Sequence, residues 1–223
     1  MALAQSLNAS LKGQPGYAAE EKQQIEILYL ERKDWAIYPE ETATLAAEMS
    51  KIGQSIVLNV LKALQVDPNL YNEITGGLSD GQGKTYLKLA HYDATKDYVG
   101  LPWHKDIRWV TVLFINQEGL QGEVEDIVID VKPLDGHFVV NLGAFFEAFI
   151  NDAKKLKAFV HRVKRVKENR SSFGAFCEGN YPEIGFYQLH DGKLIWKQPN
   201  EMNDFLITDT SFTIPGHFIF GND

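Results

Sequence analysis

The sequence predicts a mainly β fold with flanking helices, in which many short strands form a jelly-roll or double-stranded barrel. Three observations support this prediction. After Thr85 the chain consists of short segments rich in β-branched and aromatic residues, separated by Gly, Asn, Asp and Pro. Before them, the clearest element is one amphipathic helix over residues 39–65. No internal repeat or low-complexity tract interrupts this pattern.

Length and composition suit one globular domain. The chain has 223 residues, of which 44% are hydrophobic and 12% aromatic, so it can bury a sizeable core. We expect a single domain over residues 1–223. In this division, residues 1–84 form a helical N-terminal support, residues 85–177 the jelly-roll core, and residues 178–223 C-terminal strands and a possible lid.

Charge and hydropathy exclude several classes of partner. The formal net charge is −8 and no block of Lys or Arg offers a surface for phosphates, so nucleic acid is a poor candidate. No apolar run approaches the roughly 20 residues that a membrane span needs. The first residues lack the basic start and long apolar segment of a secretory signal. One cysteine, Cys177, excludes an internal disulfide framework, and we expect a cytoplasmic protein.

The N-terminal elements are predicted from local signals. Residues 1–25 are polar and small, and residues 26–30 fit either a short strand or an ordered extension. The helix over 39–65 begins with a proline and two glutamates, which suit a helix N-terminus. Its predicted apolar stripe comprises Leu45, Met49, Ile52, Ile56, Val60 and Leu64. The glycine-rich segment 75–84 lacks the ending of a phosphate-binding loop, so we interpret it as a mobile surface loop.

The strands follow in order. Predicted strands cover 85–92, 107–115, 126–131, 137–142, 158–166, 170–177, 184–189 and 193–197, with one helix over 144–156. Asp191-Gly192 is a hairpin turn signal. Residues 167–169 are interpreted as a second hairpin turn, which would place His161 and Arg170 on adjacent strands.

Two histidines and one aspartate form a candidate metal site. His104 and Asp106 are two residues apart, so on a strand they share a face, and His161 on a distant strand completes a triangle. Two imidazoles and one carboxylate leave positions open on the far side of a metal, which suits non-haem Fe(II). The alternative is a surface aspartate beside histidines with purely structural roles.

Arg170 and Ser172 are also two residues apart and share a face. A guanidinium that points into a barrel needs an anionic partner, and no acidic residue on the same face is evident. A carboxylate of a small molecule, held bidentately with a hydroxyl beside it, would satisfy this arginine. The alternative is an outward-facing arginine on an edge strand.

These residues lie in segments that resemble one enzyme family. The segments Leu101-Pro-Trp-His-Lys-Asp106, Asp135-Gly-His-Phe-Val-Val-Asn-Leu-Gly143, Val160-His-Arg-Val163 and Arg170-Ser-Ser172 resemble Fe(II)/2-oxoglutarate-dependent dioxygenases of the isopenicillin N synthase-like group. The resemblance covers roughly residues 85–180. It implies a double-stranded β-helix (jelly-roll) fold.

The resemblance also implies roles for individual residues. His104, Asp106 and His161 would hold Fe(II), and 2-oxoglutarate would chelate the iron through its keto-acid end. Arg170 and Ser172 would bind its distal carboxylate, and Tyr92 would contact co-substrate or substrate. Asn141 matches a family asparagine. Two positions depart from the pattern: Ala90 stands where many members carry an asparagine that helps to bind the co-substrate, and Ala144 stands where an aspartate is frequent.

The implied reaction is oxygenation of a small molecule, with O2 consumed and succinate and CO2 released. Hydroxylation, desaturation and ring closure are variants, and the carboxylate of Asp106 argues against a halogenase. Two alternatives remain: an iron oxidase of the same architecture that needs no 2-oxoglutarate, and a non-catalytic metal-binding jelly-roll protein. The Arg-x-Ser pair argues against the second, because structural metals prefer closed coordination.

The substrate pocket is expected to be apolar. The aromatic residues that could line it are Trp103, Tyr92, Phe176, Phe205, Phe212, Phe218 and Phe220. An amino-acid derivative or a specialised metabolite is the expected class of substrate.

Overall fold

The computed structural model describes residues 16–19, 21–151, 156–180 and 186–198. Twelve strands and three α-helices occur in these ranges. The strands are β1 (Tyr17–Ala19), β2 (Ile25–Glu31), β3 (Thr85–Tyr92), β4 (Leu101–His104), β5 (Val110–Ile115), β6 (Leu120–Val124), β7 (Ile127–Asp130), β8 (Val139–Leu142), β9 (Val160–Val163), β10 (Arg170–Cys177), β11 (Phe186–His190) and β12 (Lys193–Lys197). The helices are α1 (Glu40–Ala63), α2 (Tyr71–Ile74) and α3 (Ala144–Ile150).

The strands form two main antiparallel sheets and one hairpin. The major sheet has the order β1-β2-β3-β10-β5-β8, and the minor sheet has the order β4-β9-β6-β7. Strands β11 and β12 pair with each other across the predicted turn at Asp191-Gly192. The segment 26–30, whose structure the sequence left open, lies within β2 and pairs with β3. The predicted jelly-roll architecture is confirmed by the fold comparisons reported below.

Helix α1 packs against the major sheet, and the predicted helix is confirmed. The phase of its apolar stripe was wrong. The buried face comprises Ala46, Met49, Ser50, Gly53, Val57 and Leu61, whereas Ile52 is 39% exposed. The reason is the small residues at the centre of this face. A Cβ on Gly53 would overlap Cys177 Sγ of β10, so the helix backbone lies close to the sheet and the larger neighbouring side chains pack along its flanks.

The predicted hairpin between residues 158–166 and 170–177 was wrong. Strand β9 pairs with β4 and β6 in the minor sheet, whereas β10 pairs with β3 and β5 in the major sheet. Both edges of each strand are therefore occupied, and residues 164–169 cross between the sheets. The crossing is held by Lys164 N, which donates to Gly119 O at 2.9 Å, and by Val166 N, which donates to Gln24 Oε1 at 2.8 Å.

Other predicted boundaries were too long, and three strands, β1, β4 and β6, were missed. The strand predicted from residue 107 begins at Val110, because the carbonyls of Asp106 and Ile107 accept hydrogen bonds from the first turn of α3. Helix α3 ends at Ile150, where Asn151 takes a left-handed backbone conformation (φ 47°). The glycine-rich segment 75–84 is not purely a surface loop, since Leu78 is buried and begins a short 3-10 helix.

No helix in the described ranges is long and apolar enough to cross a membrane. The predicted lid and the four C-terminal phenylalanines from Phe205 onward lie largely or wholly outside the described residues.

Candidate active site

Two histidines face each other across the minor sheet. His104 at the end of β4 and His161 in β9 are direct cross-strand partners, and their ring centroids are 4.2 Å apart. The Nδ1 atom of His104 lies 2.9 Å from Pro102 O, and that of His161 lies 2.9 Å from Phe159 O. A carbonyl oxygen can only accept a hydrogen bond, so each Nδ1 carries the proton. Each Nε2 therefore presents a lone pair to the space between the rings.

Asp106 supplies the third donor from the segment that follows β4. Its Oδ1 atom lies 3.8 Å from His104 Nε2 and 3.9 Å from His161 Nε2. Its Oδ2 atom accepts hydrogen bonds from Thr111 Oγ1 at 2.7 Å and from Asn141 Nδ2 at 2.9 Å. Because Oδ2 is occupied, the carboxylate is oriented with Oδ1 toward the two imidazoles.

The electrostatics favour the protonation states that a metal needs. Burial, and then the electrostatic interaction with the neighbouring His161 ring, lowers the pKa of His104 to about 3, so the His104 imidazole is neutral. Burial alone would raise the pKa of Asp106, but His161, His104, Lys88 and the Thr111 hydroxyl lower it below its ordinary value. A neutral imidazole and an ionised carboxylate are the ligand forms that bind divalent cations.

The donor set fits a facial iron site. All three side chains are buried, and one ligand atom from each lies within 4.8 Å of the others. Two nitrogens and one carboxylate oxygen on one side of a metal, with the other side open, suit non-haem Fe(II). Outer hydrogen bonds that fix each ligand, as Pro102, Phe159, Thr111 and Asn141 provide, are typical of functional metal centres.

Arg170, Ser172 and Tyr92 come together on the facing sheet. Arg170 in β10 is the cross-strand partner of Tyr92 in β3, and its guanidinium lies 5.0 Å from the tyrosine ring. Its Nη1 atom donates to Ser172 Oγ at 3.4 Å, and its Nε atom donates to Glu118 O at 3.2 Å. Arg170 is only 2% exposed and forms no ion pair within the part of the chain that the structure describes. Arg170 therefore points inward, as expected. A buried cation without a carboxylate partner favours an anionic ligand.

One narrow cavity connects the two groups. The three ligand residues line it together with Arg170, Ser172 and Tyr92. Ala90 also lines it, directly opposite Ser172 across β3 and β10. The tyrosine hydroxyl lies in hydrogen-bond contact with Ser172 and Arg170. Burial raises the pKa of Tyr92, while these two contacts lower it, with a net rise, so the phenol stays protonated.

A larger cavity of about 630 Å³ opens beside His104 and Asp106. Its walls are mainly apolar and aromatic and include Tyr29, Tyr86 and Phe176. The expectation for Phe176 agrees with this placement, whereas Trp103 lines neither cavity. Instead, the guanidinium carbon of Arg162 lies over the Trp103 ring, 4.5 Å from the ring centroid.

Sequence reasoning missed Thr111 and Lys88, and it understated Asn141. Thr111 and Asn141 are cross-strand partners in β5 and β8, which is why both reach the same carboxylate oxygen. The hydrogen bond of Asn141 to Asp106 depends on that register, so the sequence alone could not reveal it. Lys88 lines both cavities, and a signal for it was present: Lys88, Ala90 and Tyr92 alternate along β3 and share one face.

A jelly-roll that buries two histidines and an aspartate beside an arginine and a serine defines the class of non-haem iron oxygenases. Residues 84–179, which contain all six predicted site residues, match the model of the 2OG-Fe(II) oxygenase superfamily. The assignment is consistent with the isopenicillin N synthase-like group.

Curated relatives come from plants. Protein DMR6-LIKE OXYGENASE 1 of Arabidopsis thaliana is 28% identical over 141 residues, which cover 61% of this chain and 40% of that protein. Thebaine 6-O-demethylase of Papaver somniferum is 32% identical over 117 residues, which cover 50% of this chain and 32% of the relative. The chain therefore spans less than half the length of these relatives.

Solved structures share the fold. The structure of JOX2 in complex with 2OG, Fe and JA has a TM-score of 0.67 at 20% identity, covering 82% of this chain and 60% of that chain. The rice dioxygenase for auxin oxidation has a TM-score of 0.66 at 20% identity, covering 95% of this chain and 76% of that chain. At this identity the likeness concerns architecture, and it confirms the predicted jelly-roll.

Proposed function

We propose that the protein is an Fe(II)- and 2-oxoglutarate-dependent oxygenase that acts on a small molecule. One observation carries the proposal. A single cavity is lined by His104 and His161 of the minor sheet, by Asp106 from the segment after β4, and by the Arg170–Ser172 pair of the major sheet. A dicarboxylate with a keto group next to one carboxylate has a chelating end and an anionic end. The chelating end matches the candidate metal site, and the anionic end matches the Arg170–Ser172 pair.

The chain's own residues divide the work. His104 and His161, each with Nδ1 bonded to a backbone carbonyl, hold their Nε2 atoms in place for the metal. Asp106, oriented by Thr111 and Asn141, contributes one carboxylate oxygen. Arg170 and Ser172 bind and orient the distal carboxylate of the co-substrate. When bound, iron and 2-oxoglutarate supply the oxidising chemistry, in which O2 and a substrate C–H group give an oxygenated product, succinate and CO2.

The alternatives fit the site less well. A 2-oxoglutarate-independent oxidase would leave Arg170 buried without an anionic partner in the described part of the chain, at a substantial energetic cost. A structural metal protein would be expected to close the coordination sphere. Among the described residues, the group of potential ligands here has three members, which leaves positions open.

The substrate is proposed as a free small molecule. A cavity of about 630 Å³ lies within the range of small-molecule sites. The net charge of −8 does not favour a polyanionic partner such as nucleic acid. Structural neighbours are described with different compounds, JA in one case and thymine in another, so the identity of the substrate is not transferred from them.

Anaerobic titration tests the proposal directly. Addition of Fe(II) and then 2-oxoglutarate should produce a weak visible charge-transfer absorption. Admission of O2 together with a compound that the enzyme converts should then yield succinate. His161→Ala should abolish both signals, because two protein ligands do not form the facial site. Cys177→Ala is the control and should retain both signals. The Cys177 thiol is buried where β10 packs against α1, and burial raises its pKa to about 12. A wild-type protein with no absorption band and no affinity for either ligand would refute the proposed function.

A second variant separates the co-substrate from the metal. Arg170→Met should weaken 2-oxoglutarate binding by about 100-fold, because hydrogen bonds between charged groups are each worth roughly 1.5–3 kcal/mol. Fe(II) affinity should stay near the wild-type value. Arg165→Met, which removes an exposed guanidinium paired with Asp97, is the matched control and should change neither constant. Equal 2-oxoglutarate affinity in the Arg170 variant and wild type would contradict the assigned role.

A further inference from the structure

Lys88 is a half-buried cation that the proposed reaction does not yet use. It lies in the centre of β3, between Tyr29 of β2 and Gly174 of β10 in the sheet register. It lines both the narrow cavity with the metal ligands and the larger cavity beside it. Lys88 therefore lies where the two cavities meet.

The other charged groups that line the larger cavity have opposite charges beside them. Lys105 Nζ lies 3.2 Å from Glu147 Oε2, Arg108 Nη1 lies 2.5 Å from Glu178 Oε1, and Glu31 Oε2 lies 2.9 Å from Lys33 Nζ. Asp106 is oriented toward the candidate metal site. The ammonium of Lys88 forms no ion pair or hydrogen bond with any residue that the structure describes. Its ammonium instead lies 5.2 Å from the ring of Phe176.

Lys88 would have less negative charge near it once a metal ion is bound. Burial lowers the pKa of Lys88, and the nearby Asp106 carboxylate acts in the opposite direction. A divalent metal on Asp106 would neutralise that carboxylate and add a cation close to the lysine. The ammonium of this half-buried lysine would then lie beside a metal ion without an anionic partner, an arrangement that favours an anion able to bind it.

We propose, on the basis of the function proposed above, that Lys88 binds a carboxylate of the substrate, so that the enzyme selects acids with an apolar or aromatic body. The apolar body would lie in the larger cavity, whose walls include Ile25, Ile27, Tyr29, Leu101, Tyr86 and Phe176. The lysine at the junction of the two cavities would hold the acid end close to the metal. The specificity of the site then comes from one charge contact, with the apolar walls supplying most of the buried surface.

Matched acids and amides test this assignment. The probes are 3-(2-naphthyl)propanoate, 4-phenylbutyrate and decanoate, each compared with its primary amide. Dissociation constants are measured calorimetrically on the full chain with Fe(II) and saturating 2-oxoglutarate under argon. Saturation with the co-substrate prevents the acids from binding at Arg170. The wild-type protein should bind at least one acid about tenfold more tightly than its amide, as expected for a charged hydrogen bond.

Three variants locate the charge that produces this preference. Lys88→Met should bind acid and amide equally, Lys88→Arg should keep the preference, and Lys105→Met should also keep it. Lys105 is the matched control, because it lines the same cavity but is already paired with Glu147. The absorption band of the Fe(II)–2-oxoglutarate complex verifies that each variant is folded and loaded.

The outcomes distinguish this inference from the proposed function. A protein that forms the Fe(II)–2-oxoglutarate complex but shows no acid preference with any probe overturns the inference alone. So does a Lys88→Met variant that retains the preference. If that variant instead loses affinity for 2-oxoglutarate, the carboxylate on Lys88 belongs to the co-substrate and the inference is wrong. Failure to bind Fe(II) or 2-oxoglutarate at all refutes the proposed function itself.

Discussion

At the residue scale, Asp106 shows how the fold can orient a proposed metal ligand in advance. Its Oδ2 atom accepts from both Thr111 and Asn141, which leaves Oδ1 for the metal. Without these bonds, the carboxylate could rotate about its side-chain torsions and would lose that freedom on binding. The two hydrogen bonds thus reduce the entropic cost of coordination.

Thr111→Val tests this orientation with almost no change in side-chain shape. Fe(II) affinity should fall by about 10–100-fold, the usual cost of losing an outer hydrogen bond to a metal ligand. The measurement is an anaerobic Fe(II) titration. Thr85→Val is the matched control, because Thr85 is also buried in the major sheet but does not contact Asp106. A Thr111 variant with wild-type affinity would show that Asp106 is oriented without the hydroxyl.

Much of the site is predictable at this scale, and its supporting residues are not. The pair Arg170/Ser172 is visible because strand alternation turns a spacing of two into a shared face. The same reasoning brought His104 and Asp106 together, although β4 ends at His104 and Asp106 reaches the site from the segment that follows the strand. Thr111 and Asn141 are 30 residues apart in number (141 − 111), and they meet because β5 and β8 pair in one particular register. That register depends on the packing of the whole sheet, so a local pattern does not reveal it.

At the element scale, the strands that carry the site belong to different sheets. Strands β4 and β9 present the histidines, and β3 and β10 present Tyr92, Ala90 and the Arg170–Ser172 pair. The predicted hairpin between β9 and β10 failed because a short polar turn signal cannot specify which edge each strand will occupy. The existence of these strands was predictable, whereas their partners depend on long-range contacts.

The contact between α1 and β10 provides a prediction at the same scale. A Cβ added to Gly53 would overlap Cys177 Sγ and approach Val110 Cγ1 to 3.2 Å. Gly53→Ala should therefore lower the free energy of unfolding by about 1 kcal/mol, because overpacking outweighs the gain in helix propensity. In the Cys177→Ala background the same substitution should be neutral or stabilising, since the sulfur is gone.

The double-mutant cycle measures this packing directly. Urea unfolding of the four proteins should give a coupling energy of about 1–2 kcal/mol between positions 53 and 177. Additive effects, with Gly53→Ala equally destabilising in both backgrounds, would mean that the helix does not approach the sheet as closely as described.

At the scale of the whole molecule, the proposed co-substrate connects the two sheets. The proposed metal ligands lie on the minor sheet and in the segment after β4, while Arg170 and Ser172 lie on the major sheet. A molecule of 2-oxoglutarate bound at both ends would bridge them across the narrow cavity. Binding at the metal and binding at the arginine should therefore be coupled, because each end holds the other in position.

This coupling predicts a synergistic effect on thermal stability. Ligand at about 100 times its dissociation constant stabilises a fold by roughly 2.7 kcal/mol, which corresponds to a rise in Tm of about 5–10 °C for a chain of this size. With Fe(II) present, 2-oxoglutarate should produce a rise of this order, whereas without metal the same concentration should have little effect. Scanning calorimetry under argon gives the four required values. His161→Ala and Arg170→Met should each remove the synergy, the first by losing the metal and the second by freeing the distal carboxylate. An equal rise with and without Fe(II) would mean that 2-oxoglutarate binds without chelating the metal, and the two sheets would then not be bridged through the iron.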